Sequence, residues 1–172
     1  MNRNILTILF LILSFLPLSA KETEENTYPT QERLFHISRS VNKNLVCYDV
    51  NLKDGKLDEK HPLNPYWVNR EEHPGETNGL NFFQRKMAYG YKVISSKEDL
   101  CICTLSASKD QQLIITQYNN RWVCMTEINK QKAILKELYV KSKPHNSMKV
   151  EYVELRGISL ATKLPITEKI IK

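Results

Sequence analysis

Leu113-Ile-Ile-Thr-Gln-Tyr118, Asn119-Asn120-Arg121 and Trp122-Val-Cys-Met-Thr-Glu127 together decide the fold class. Two runs rich in β-branched and aromatic residues flank a pair of asparagines, and asparagine tolerates the positive φ of a compact hairpin turn. The same punctuation recurs on both sides. Upstream lie Tyr91–Ile94 and Leu100–Leu105, divided by Ser95–Asp99 and closed by Ser106–Gln112. Earlier still, Arg33–Ser38 and Asn44–Val50 flank Val41-Asn42-Lys43, and Asp54-Gly55 is the strongest local turn in the chain. Pro62 and Pro65 bracket an extended stretch ending in Tyr66-Trp67-Val68. Such prolines belong at strand starts or edges, because each removes a ladder donor. Downstream, Lys132–Lys143 has a spacing at Ile134, Leu135 and Leu138 that also suits a helix. It reads as a strand because Tyr139-Val140 and Met148–Leu155 form two arms around Pro144–Ser147. Glu168–Ile171 adds a last edge segment. No fixed-period repeat occurs. The expected fold is mainly β, an antiparallel barrel or sandwich of about eight to ten short strands.

One segment breaks the pattern. In Asn78–Tyr89, Leu80, Phe83 and Met87 recur at helical spacing with Gln84, Arg85 and Lys86 between them. The spacing predicts one short amphipathic helix over 79–89. Thr77 or Asn78 would cap it, Gly90 would close it as a left-handed C′ residue, and its apolar stripe would cover the sheet.

A chain of 172 residues with 41% hydrophobic and 26% charged residues suits one globular domain and excludes a low-complexity tail. Residues 1–20 have the layout of a secretory signal. Arg3 precedes an apolar core from Ile5 to Leu16, and Pro17 precedes the small residues Ser19 and Ala20. Position 21 is Lys, so the lipid-attachment pattern of a bacterial lipoprotein is absent. Residues 21–31 read as a flexible acidic leader and 32–172 as a single β-rich domain. The expected product is exported, periplasmic or extracellular in the cell envelope, and soluble, with no transmembrane span after signal removal.

Export gives Cys47, Cys101, Cys103 and Cys124 an oxidising setting, but four cysteines do not form a dense disulfide framework. Cys101 and Cys103 fall on one face of a strand, where buried thiols act as small hydrophobes. Their disulfide state stays open. No pair of CxxC elbows occurs, so no metal is expected. Nor does any cofactor fingerprint occur: there is no phosphate-binding glycine loop and no dinucleotide motif.

Acid–base chemistry has one weak candidate, Arg70–Glu76. Glu71 or Glu72 could serve a hydrolase as base with His73 as its partner, if that loop faced a cleft. Binding has broader support. Tyr48, Tyr66, Trp67, Tyr89, Tyr91 and Trp122 are amphipathic aromatics able to line a cavity or stack on a sugar ring. The charge is uneven. Residues 129–172 carry ten Lys and Arg against four Glu, while 21–128 are almost neutral. Lys132, Lys136 and Lys141 could therefore face an anionic envelope surface. Without an aromatic–basic recognition motif, nucleic acid is not an expected partner. Oligomeric state is open.

Several segments resemble a known family. His36-Ile-Ser-Arg-Ser40, Asn44-Leu-Val-Cys-Tyr48, Asp54-Gly-Lys-Leu57, His61-Pro-Leu-Asn-Pro-Tyr-Trp67 and Met87-Ala-Tyr-Gly-Tyr91 are similar to the exported bacterial proteins of domain-of-unknown-function family 4833. Tyr152–Gly157 and Leu164–Lys169 extend the likeness over nearly all of the chain beyond the signal. The resemblance implies an architecture and an exported address, and brings no catalytic residue with it. The expected role is non-catalytic binding of a small apolar or carbohydrate ligand. The alternatives are the loop hydrolase and an envelope interaction protein using the basic hairpin.

Overall fold

The computed structural model describes residues 33–172; the expected signal (1–20) and leader (21–31) lie outside the described residues. The chain is mainly β, a curled sheet forming a half-barrel. In order, the strands are β1 (Arg33–Arg39), β2 (Asn42–Val50), β3 (Leu52–Lys53), β4 (Lys56–Leu57), β5 (Leu63–Val68), β6 (Thr77–Gly79), β7 (Tyr91–Lys97) and β8 (Leu100–Leu105). There follow β9 (Ser108–Tyr118), β10 (Arg121–Ile128), β11 (Gln131–Lys143), β12 (Asn146–Ser159) and β13 (Pro165–Ile171). Eleven of them form one sheet, and β3 and β4 make a separate small hairpin.

The turns carry the conformations their residues favour. Asp54 and Gly55 have φ of 53 and 77°, and Asn119 and Asn120 have 50 and 60°. These pairs of positive φ match the twist of the strands they join. Asn129 and Lys130 make a further turn of the same kind between β10 and β11. Pro65 pairs with Tyr48 of β2, but β6 reaches only Tyr66–Val68, so the edge of β5 opposite β2 needs no donor at Pro65.

The sheet is antiparallel except at one seam. Residues His36–Arg39 of β1 lie parallel to Glu137–Val140 of β11. The first residues of β11 pair instead with β10, and Ala133 to Lys143 pair with β12 along the other edge. Strand β11 thus joins three arms: β1-β2-β5-β6, β10-β9-β8-β7 and β12-β13. A strand of 13 residues is long enough to serve two neighbours along one edge.

The main core fills the curl with Leu34, Phe35, Tyr48, Leu113, Ile115 and Leu135 among others. Phe35 and Tyr48 stack with ring centroids 4.4 Å apart. The four cysteines are free and buried. Burial raises the Cys47 thiol to about 11 and pushes Cys124 up further. Thiolates are therefore disfavoured at both, as suits core packing.

The helical segment departs from its expected form. It comprises α1 (Phe82–Gln84) and a π-helical turn, Arg85–Tyr89. Asn81, not Thr77 or Asn78, is the cap: its side chain accepts from the Gln84 N–H while Gln84 accepts from the Asn81 N–H, both at 2.9 Å. The π turn changes the phase of the side chains. Leu80 and Tyr89 are buried, whereas Phe82, Phe83 and Met87 face solvent, Phe83 at 74% exposure. The stripe expected to cover the sheet is thus broken. Gly90 is extended, with φ −72°, so its role is not a left-handed cap. It closes the π turn through its N–H on the Arg85 carbonyl, and a Cβ there would lie 2.1 Å from that oxygen.

Candidate ligand cavity

Cross-strand register builds one wall of an apolar recess. Ile37, Leu138 and Leu155 form one row across β1, β11 and β12. Two residues along, Arg39, Val140, Val153 and Ile170 form the next, reaching β13. Residues two apart share a face, so both rows point the same way. Facing them are Met87, Ala88 and Tyr89 of the π turn, with Leu105 at the end of β8 and Ala107 from the β8–β9 connection. The enclosed volume is about 550 Å³, within the range of small-molecule sites. Met87 and Met148 line it while remaining 70% and 90% exposed, so flexible thioethers stand at its mouth. The polar side chains of the lining are those of Arg39, Tyr89, Ser108, Gln111 and Lys172, and no Asp, Glu, His or Cys side chain of the described residues joins them.

Arg39 is the exception within its apolar row. Its guanidinium donates to the Tyr89 hydroxyl at 3.3 Å, the Ser142 hydroxyl at 3.2 Å and the Ser147 carbonyl at 2.6 Å. Ser142 is itself buried and donates to the same Ser147 carbonyl. These partners are all neutral, and the buried Arg39 Nε has none.

The opposite face of the same strands is polar. His36, Glu137 and Arg156 stand in register there. Ser38 Oγ donates to Glu137 at 2.5 Å, Arg156 donates at 3.0 Å, and His36 Nε2 lies 3.7 Å away. His36, Ser38 and Arg156 together hold the Glu137 carboxyl down to about 2. The serine bonds the carboxylate directly, without histidine between them. That geometry stabilises a charge and does not activate a nucleophile.

The aromatics singled out in the sequence are not brought to one site. Tyr48 is fully buried and donates to the Tyr89 carbonyl at 2.7 Å. Tyr66 donates to buried Asp49 and accepts from Arg33. Tyr91 donates to the Leu63 carbonyl, and Trp122 is buried in the core. Trp67 lines a second recess of about 370 Å³ with Asn42, Asn44, Asn69, Asn78 and Gln84. The amide oxygens of Asn42, Asn44 and Asn69 already accept from the backbone N–H groups of Asn44, Arg70 and Glu71. Glu71, Glu72 and His73 are exposed on the β5–β6 loop and line neither recess. Lys132 and Lys136 are exposed and Lys141 is half-buried. Among the described residues, no group of three or more His, Cys, Asp and Glu is placed to hold a metal. No helix of the described residues is long and apolar enough to cross a membrane.

The sequence reading missed the recess because its wall exists only after β1 meets β11. Tyr89 was the one lining residue singled out as a ligand candidate. Isolated alternation at Leu138-Val140 and Val153-Leu155 marks an inward face without saying that the face is hollow.

These features define a class: a small protein of one curled sheet with an apolar recess between its wall and a helical turn. Within that class the chain belongs to the family described as "Domain of unknown function (DUF4833)", whose sequence model matches residues 35–169. No curated protein and no solved structure matches the chain.

Proposed function

We propose that the protein binds a small apolar ligand in the recess between the β1-β11-β12-β13 wall and the π turn. The observation that carries this reading is a volume of about 550 Å³ lined mostly by aliphatic side chains, with methionines at its mouth. An apolar guest removes that lining from water, at roughly 25 cal/mol per Å² of apolar surface buried. The recess offers no paired acid and base, so binding without chemistry suits it better than hydrolysis. An apolar guest suits it better than a sugar, because its lining is mostly aliphatic and carries few polar side chains.

The test is a neutral, environment-sensitive fluorophore such as N-phenyl-naphthylamine added to the native protein. Saturable enhancement is expected, with loss of at least about tenfold in affinity in Val153→Trp, whose indole would fill the recess. Enhancement unchanged in Val153→Trp would overturn the reading.

A further inference from the structure

We infer that the ligand is a single-chain amphiphile whose anionic head, a carboxylate, is held by Arg39. This inference rests on the proposed binding role of the recess and specifies the chemistry of its guest.

Arg39 is a permanent cation placed in the wall of an apolar hollow. Among the described residues no Asp or Glu forms an ion pair with it, whereas Arg33, at the other end of the same strand, has Asp49 at 3.2 Å. Its five N–H donors make three hydrogen bonds, all to neutral oxygens. Nε is buried and unpartnered. Arg39 is half-buried, and an incoming anion supplies the counterion that the described residues do not. A carboxylate fits guanidinium geometry and can accept from remaining donors, while the Tyr89 and Ser142 hydroxyls stay close to the head. One guanidinium in the wall suits a monovalent head better than a phosphate dianion.

The rest of the recess selects the tail. Ile37, Leu138, Val140, Val153, Leu155 and Ile170 offer branched aliphatic surface without a deep polar group, which favours a flexible alkyl chain. The methionines at the mouth can repack around chains of different length. An acyl chain ending in a carboxylate satisfies both halves of the site.

The experiment displaces N-phenyl-naphthylamine from the full chain with dodecanoate, and separately with dodecanol, which has the same tail and a neutral head. Dodecanoate is expected to compete about tenfold or more better, as a charge-assisted hydrogen bond implies. Arg39→Met and Arg39→Gln should erase that preference while leaving dodecanol competition within about twofold. A readout on the native protein covers the case in which neither variant folds. Titration of bound, carboxyl-labelled dodecanoate by NMR should find its carboxyl pKa below that of the free acid.

Equal competition by the two ligands, or a preference retained in folded Arg39 variants, would overturn the inference while leaving the recess as a binding site. An undepressed carboxyl pKa would overturn it likewise. Failure of fluorophore, dodecanoate and dodecanol alike would instead remove the proposed function itself.

Discussion

Arg33 and Arg39 stand at opposite ends of β1 and are treated in opposite ways. Arg33 reaches buried Asp49, and Tyr66 completes the group by donating to Asp49 at 2.7 Å and accepting from Arg33 at 2.6 Å. Burial and the Asp49 carboxylate push the Tyr66 phenol up, so it stays a neutral donor. At the Arg39 end, hydroxyls and a carbonyl replace the carboxylate, and a hollow replaces packed side chains. The first end is closed by the fold's own residues; the second has its charge left over. A cation neutralised internally serves stability, whereas one without a counterion beside a cavity can serve recognition.

The largest test of that difference is Asp49→Ala. It would remove the carboxylate beside Arg33 and the acceptor of Tyr66, and a loss of about 3 kcal/mol is expected from denaturant unfolding. By contrast, Arg39→Met strands no opposite charge and removes three hydrogen bonds to neutral groups. A loss of about 1 kcal/mol by the same measurement would fit that difference. Losses of equal size at the two sites would break the comparison.

Between these lies Glu137, an ion cluster on the outer face of the Arg39 end. Its carboxyl sits at about 2 in the folded chain against an ordinary 4.5. The folded state therefore binds fewer protons, and this contribution is fully present above about 4.5. It is lost as the pH falls from there toward 2, by roughly 1 to 2 kcal/mol after solvent screening. Glu137→Gln should flatten that part of the stability–pH curve, and an unchanged slope would show the cluster to be inert. The smallest effect belongs to Lys56–Glu98, an ion pair in which both side chains are 61% exposed. Glu98→Gln should leave the denaturation midpoint where it was.

Local chemistry made much of the fold legible. Asn119-Asn120 and Asp54-Gly55 turn as their side chains and backbone freedom allow, and the choice of strand for Lys132–Lys143 agrees with β11. The phase of the helical segment was not legible from spacing. Leu80, Phe83 and Met87 match a regular helix on paper, but the π turn closed at Gly90 adds a residue and turns Tyr89 inward. The ligand recess was the least legible. Tyr48 and Trp122 looked suited to a pocket, yet large aromatic side chains are also what a packed core consumes. What distinguishes Arg39 is that, among the described residues, no Asp or Glu pairs with it. That depends on which strands become neighbours, so no sequence motif carries it.

The single parallel seam also sets an order of assembly. Ninety-nine residues separate Ser38 from its partner Glu137. During synthesis β1 can pair with β2 at once, but its other edge must wait until β11 has been made. Contacts of such long sequence separation are late and entropically costly, so closure of the half-barrel should limit the folding rate. Until then the open edge of β1 is a template for pairing with another chain. The strand that completes the wall of the recess is therefore also the one that protects the growing chain from its own copies.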